Sequence, residues 1–93
     1  MHIGLLRATI AIPDAHSIKE KRRVVKSLRE RVSARMNISV AEVGQLELWN
    51  RADLAFVTVA GQKEVTEKRL SAIAKLLEEG RDFVLLELKT EPL

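Results

Sequence analysis

A two-layer α+β sandwich, with two helices on one face of a four-stranded antiparallel sheet, is the architecture that this sequence predicts. Three observations predict it. Apolar residues alternate with a period of two in some segments and recur every three to four residues in others. Those segments follow one another in the order βαββαβ. The chain's 93 residues, 46% of them hydrophobic, supply material for one core and leave no room for a second.

The first strand runs from His2 to Ile12, with Leu6, Ala8, Ile10 and Ile12 on one face and Ile3, Leu5, Arg7 and Thr9 on the other. Pro13 ends it, and Asp14, Ala15 and His16 form a short connection. Ser17, followed three residues later by Glu20, matches a capping box and opens a helix that reaches Met36. At about 100° per residue, Ile18, Val24, Val25, Leu28, Val32 and Met36 gather on one side, the seam of an amphipathic helix laid on a sheet. Lys21 falls on the same apolar arc, where its stem is expected to cover the sheet edge while its ammonium reaches out to water.

Asn37 closes this helix. Ile38 to Val43 alternates as a second strand, Gly44 and Gln45 break the pattern, and Leu46 to Asn50 lies between strands. A third strand, Arg51 to Ala60, is rich in Val, Leu and Phe. Beyond Gly61, Gln62 to Glu79 reads as a second helix with Val65, Leu70, Ile73, Leu76 and Leu77 facing inward, and Gly80 stands as its C′ stop. Phe83 to Lys89 supplies the last strand, and Pro92 ends the fold. This order suits a ferredoxin-like fold with its approximate βαβ duplication, formed by residues 1–93 as a single domain without linker or low-complexity tract.

Composition removes several functional classes. Without cysteine there is no disulfide, thiolate metal site or thiol nucleophile. The apolar stretch from Ile3 to Ile12 is interrupted by Arg7 and lacks a small-residue cleavage pattern, so it makes a poor signal peptide. No run approaches the roughly 20 apolar residues that span a bilayer. A soluble, cytoplasmic protein with no membrane partner is the expectation.

Charge is the distinctive chemical feature. The chain carries +3 overall, yet residues 17–36 hold eight Lys/Arg against two Glu, a local +6, so the remainder nets −3. Lys19, Arg22, Arg23, Lys26 and Arg29 occupy the arc opposite the apolar seam and form a stripe. Such a face suits an anionic partner, since guanidinium and ammonium groups in a row track phosphates and release counterions. A helix face that is merely solvated has the same composition. Backbone N–H groups at the helix start near Ser17 offer a further place for an anion.

Catalytic chemistry finds little footing. Asp14, His16 and Ser17 hold the residue types of a triad, but three side chains this close in sequence do not reach relay geometry, and Ser17 serves as a cap. His2 and His16 would share a metal only if the fold joined them. The glycines at 4, 44, 61 and 80 are isolated, so no phosphate-cradling loop exists, and no cofactor is expected. Aromatics are confined to Trp49, Phe56 and Phe83, which disfavours base stacking on the sheet in the manner of an RRM. The sheet face bearing Ile3, Leu5, Arg7 and Thr9, with Leu85 and Glu87 placed beside them, is half apolar and suits self-association. Trp49 serves either an interface or the core edge, and Arg51 is placed to pair with Asp53.

Gly4-Leu5-Leu6-Arg7, Ile12-Pro13, the run from Ala15 to Leu28, Asn37 to Val43 and Leu48-Trp49-Asn50-Arg51-Ala52 together resemble the YlxP-like family, a bacterial domain of unknown function. The most specific stretch is His16-Ser17-Ile18-Lys19-Glu20-Lys21-Arg22, with Ile18 where the family commonly has Leu. The resemblance covers nearly the whole chain. It implies a small ferredoxin-like fold and, because members are commonly encoded among translation factors and a ribosome-binding factor, a role in ribosome assembly or RNA binding. It brings no catalytic residues.

The function expected is therefore a non-enzymatic RNA- or ribosome-associated factor, partnered by RNA or the small ribosomal subunit. Its nucleic-acid-binding residues would be Lys19, Lys21, Arg22, Arg23, Lys26 and Arg29. The alternative is a homodimeric protein-interaction module joined through the open sheet face or a strand edge, with no nucleic-acid role. A small-ligand regulatory role rests on fold analogy alone.

Overall fold

The alternation of apolar side chains in β1 (His2–Ala11) and β3 (Arg51–Ala60) places Leu6, Ala8, Ile10, Ala52, Leu54 and Phe56 on one face, all buried. In the computed structural model, which describes residues 1–91, these two strands are the centre of a four-stranded sheet. Its order is β2-β3-β1-β4, with β2 at Ser39–Gly44 and β4 at Val84–Glu91, and every neighbouring pair is antiparallel. Helices α1 (Ile18–Arg35) and α2 (Lys63–Glu78) complete the order β-α-β-β-α-β, which is the ferredoxin-like α+β fold. Pro92, expected to end the fold, lies outside the described residues.

Register explains the layering. Leu6 opposes Phe56, Ala8 opposes Leu54 and Ile10 opposes Ala52 on the core side, while Ile3–Val59 and Leu5–Val57 are cross-strand pairs on the other. Onto the core side α1 lays Val25, Leu28 and Val32, and α2 lays Leu70, Ile73 and Leu77. Ala15, Ile38 and Phe83 add to the same buried cluster. No helix among the described residues is long and apolar enough to cross a membrane.

Several boundaries differ from those read in the sequence. β1 ends at Ala11, although Ile12 still donates its N–H to the Asn50 carbonyl at 2.8 Å. Met36 rather than Asn37 caps α1, its N–H returning to the Val32 carbonyl. The last strand starts at Val84 because Phe83 is turned into the core. Gly80 does follow the end of α2, but no glycine here has a positive φ, so the left-handed C′ motif is not the reason. The reason is room: a Cβ at Gly80 would stand 2.2 Å from Phe83 Cζ.

A bulge in β4 corrects the composition of the open sheet face. Thr9 pairs with Glu87 and Ile10 with Leu85, so the strand slips by one residue between them. Leu85 consequently packs against the core, and Glu87 alone joins Thr9 on the open face.

Candidate nucleic-acid interface

Eighteen residues of α1 make a rod about 27 Å long. It forms here because Ser17 Oγ accepts the Glu20 N–H at 3.1 Å, the first bond of a capping box, while the Glu20 carboxylate reaches one residue further back to accept the His16 N–H. The seam of Val25, Leu28 and Val32 then fixes its rotation on the sheet. That rotation leaves Lys19, Arg22, Arg23, Lys26 and Arg29 exposed. Arg31 and Arg35 extend the exposed positive charge toward the C-terminal end, two cations that the stripe did not include.

The exposed cations are poorly neutralised from within. Lys26 meets Glu30 at 3.9 Å, an i,i+4 pair with both side chains about two-thirds exposed, which water and salt screen. Lys19, Arg22, Arg23 and Arg29 make no ion pair among the described residues.

Lys21 does not belong to this surface, and here the expectation is corrected. Its side chain is 1% exposed. The ammonium lies 2.7 Å from Glu42 Oε2 and donates to the carbonyls of Gln45 at 3.0 Å, Arg51 at 3.2 Å and Leu46 at 3.4 Å. An ammonium has three protons and no lone pair, and this nest of oxygens uses all of them. A group so enclosed has no access to a phosphate. The snorkelling expected from the apolar arc does not occur because the partner charge is inside. Glu42 sits opposite Leu54 on the core side of β2, and the oxygen facing the ammonium has no other hydrogen bond. The missed signal was a coincidence of anomalies: a cation on the apolar side of a helix and an anion at a core-facing position of a strand.

The helix start is not an anion cradle either. The Glu20 carboxylate, folded back to the His16 N–H, puts negative charge in front of the first turn. Ser17 Oγ is committed to its cap, and His16 and Asp14 are exposed beside it. His2 and His16 lie at opposite ends of β1, whose ten residues stretch roughly 30 Å.

On the sheet's open face, Ile3, Val57 and Val59 are 42, 38 and 48% exposed and form an apolar end with Leu5. Beside it is a polar patch with a shallow hollow of about 150 Å³ lined by Arg7, Thr9, Asp53, Glu87 and Lys89. Asp53 is held by Thr9 Oγ1 and Gln45 Nε2, each at 2.8 Å, rather than by Arg51. Phe56 and Phe83 are buried in the core, whereas Trp49, in the loop between β2 and β3, is 52% exposed.

A family model described as "Protein of unknown function (DUF503)" matches residues 3–90. The uncharacterized protein YlxP of Bacillus subtilis (strain 168) is 33% identical over 76 residues, covering 82% of this chain and 83% of that protein.

Proposed function

The chain belongs to DUF503, a family of proteins of unknown function, and for it we propose a non-enzymatic, RNA- or ribosome-associated role in which the exposed face of α1 contacts phosphates. One observation carries the reading: five cations in register on the solvent side of one helix, with a single weak internal counter-charge in Glu30. Lys19, Arg22, Arg23, Lys26 and Arg29 supply the contacts, and Lys21 holds the structure beneath them.

Resemblance to the YlxP-like family directs the test to small-subunit ribosomal RNA. Five phosphate contacts imply that the logarithm of affinity falls against the logarithm of salt with a slope of about −3.5 on single strands. Reversing two charges, Arg22→Glu with Lys26→Glu, should weaken binding strongly at low salt and flatten that slope by roughly 1.4. Absence of binding by the native protein at low salt, or binding indifferent to the double reversal, defeats the reading.

A second reading, homodimerisation through the open sheet face, is favoured by the two apolar cross-strand pairs Ile3–Val59 and Leu5–Val57. The helices lie on the other side of the sheet, so such a dimer would leave both α1 stripes free.

A further inference from the structure

The sheet is open at both edges, and the edges are unequal. β2 is the shorter and bulges where Gly44 meets Asp53, whereas β4 runs regularly against β1 from Glu87, opposite Thr9, to Glu91, opposite Leu5. Beyond β1, no backbone hydrogen bond ties β4 to any other segment among the described residues. Its outward N–H and C=O groups form a free row, a template for another strand. The core is also unclosed along this edge. Leu85 and Leu88 point to the helix side yet are only partly buried, and a cleft of about 360 Å³ lies between β4 and α2, lined by Leu70, Ser71, Ala74, Leu88 and Thr90. Leu86, the extra residue of the bulge, is 47% exposed.

We propose that β4 is a dimerisation edge, at which a second copy of this chain continues the sheet across a two-fold axis through Leu88. The inference rests on self-association of the chain and moves the contact from the open face to the edge. Charged side chains guard an open edge when like meets like across it. On β4 they are arranged to match. A second copy placed antiparallel across a two-fold axis is centred on a residue, so that facing side chains share one side of the sheet. Centred on Glu87, it apposes two carboxylates, and centred on Lys89, two ammoniums. Centred on Thr90, it overlaps β4 only from Lys89 to Glu91, and registers nearer Val84 fall on the bulge. Centred on Leu88, it sets Glu87 against the partner's Lys89, and Lys89 against the partner's Glu87. Leu88 then meets the partner's Leu88 on the helix side, at the mouth of the cleft. Within one chain Lys89 and Glu87 stand 3.3 Å apart and more than half exposed, a contact worth little by itself and free to exchange across the axis. Since α2 packs near β4 and α1 over β2 and β3, the copies meet α2 beside α2 and carry both cationic α1 faces on one side of the joined sheet.

Sedimentation and amide hydrogen exchange on the full chain test the edge. The native protein should dimerise at micromolar concentration, and amides of residues 87–90 should exchange more slowly as concentration rises while those of β2 do not change. Glu87→Lys and Lys89→Glu each set like charges opposite one another, and each should weaken dimerisation about tenfold. Mixed together, the two variants should form a heterodimer of about native affinity, because every apposed pair is then opposite in sign. That rescue cannot come from a defect in folding. Val57→Arg, on the open face, should dimerise as the native chain does. Loss of the dimer in Val57→Arg, or β4 amides indifferent to concentration, overturns the edge and leaves the open-face reading standing. Two single variants that stay apart on mixing overturn it as well. If the native chain is a monomer throughout, both surfaces fall.

Discussion

Lys21 shows how a single residue changes meaning between sequence and structure. Its position on the apolar arc of α1 was legible, but the destination of its ammonium depended on Glu42, which only the placement of β2 brings within 2.7 Å. Burying an isolated ammonium is prohibitive, and burying it among a carboxylate and three carbonyls is tolerated because each proton is taken up. Removing one member strands the other. Lys21→Met should destabilise the protein by about 3 kcal/mol, because Glu42 is left at its core-facing position without a partner. For a domain of this size that is a fall in melting temperature of roughly 12–24 °C. Lys21→Met combined with Glu42→Leu should recover most of it, since an apolar pair of similar volume replaces the ion pair. Thermal unfolding followed by circular dichroism distinguishes the two, and equal losses in the single and double variants would refute this account of the clamp.

At the scale of elements, what local chemistry determines was readable and what long-range pairing determines was not. Ser17 with Glu20 marks the start of α1, and the alternation from Arg51 to Ala60 coincides with β3 from end to end. The face of β4 was misjudged because a bulge has no sequence signature of its own, and the slip between Glu87 and Leu85 exists only against β1. Gly80 was placed correctly beyond α2 for a reason that proved wrong. Its backbone is not left-handed, so replacing it by Ala should in isolation stabilise slightly through the unfolded state. The ring of Phe83 reverses the sign, with its nearest atoms 2.2 and 2.4 Å from the new methyl. Gly80→Ala is therefore expected to cost about 1–3 kcal/mol in the native background. Introduced beside Phe83→Leu it should cost little or even stabilise. Denaturant midpoints at constant slope give both numbers, and the same cost in both backgrounds would rule out the ring as the cause.

Taken as a whole, the molecule separates its two candidate surfaces by a sheet. Charge gathers on α1 and apolar exposure on the opposite face, so the RNA and dimer readings are compatible and separately testable. Four strands of up to ten residues present roughly 600 Å² of projected sheet, close to the 800 Å² or so per partner of a stable interface. Ile3, Leu5, Val57 and Val59 make one end apolar, and Val84, opposite Ala11, is a further exposed apolar residue at the other. The middle carries Arg7 and Lys89 with Asp53 and Glu87, and Glu91 stands beside Leu5, a mixture that a two-fold axis could pair across copies. Val57→Arg places a charge within the apolar end, opposite Leu5, without touching α1. If the face is a dimer interface, sedimentation at micromolar concentration should show native dimers and Val57→Arg monomers. The variant's RNA binding should weaken through lost bivalency while its intrinsic α1 contacts persist. A native protein that sediments as a monomer throughout this range removes the dimer and leaves the open face solvated, its apolar end too small to hold two copies together.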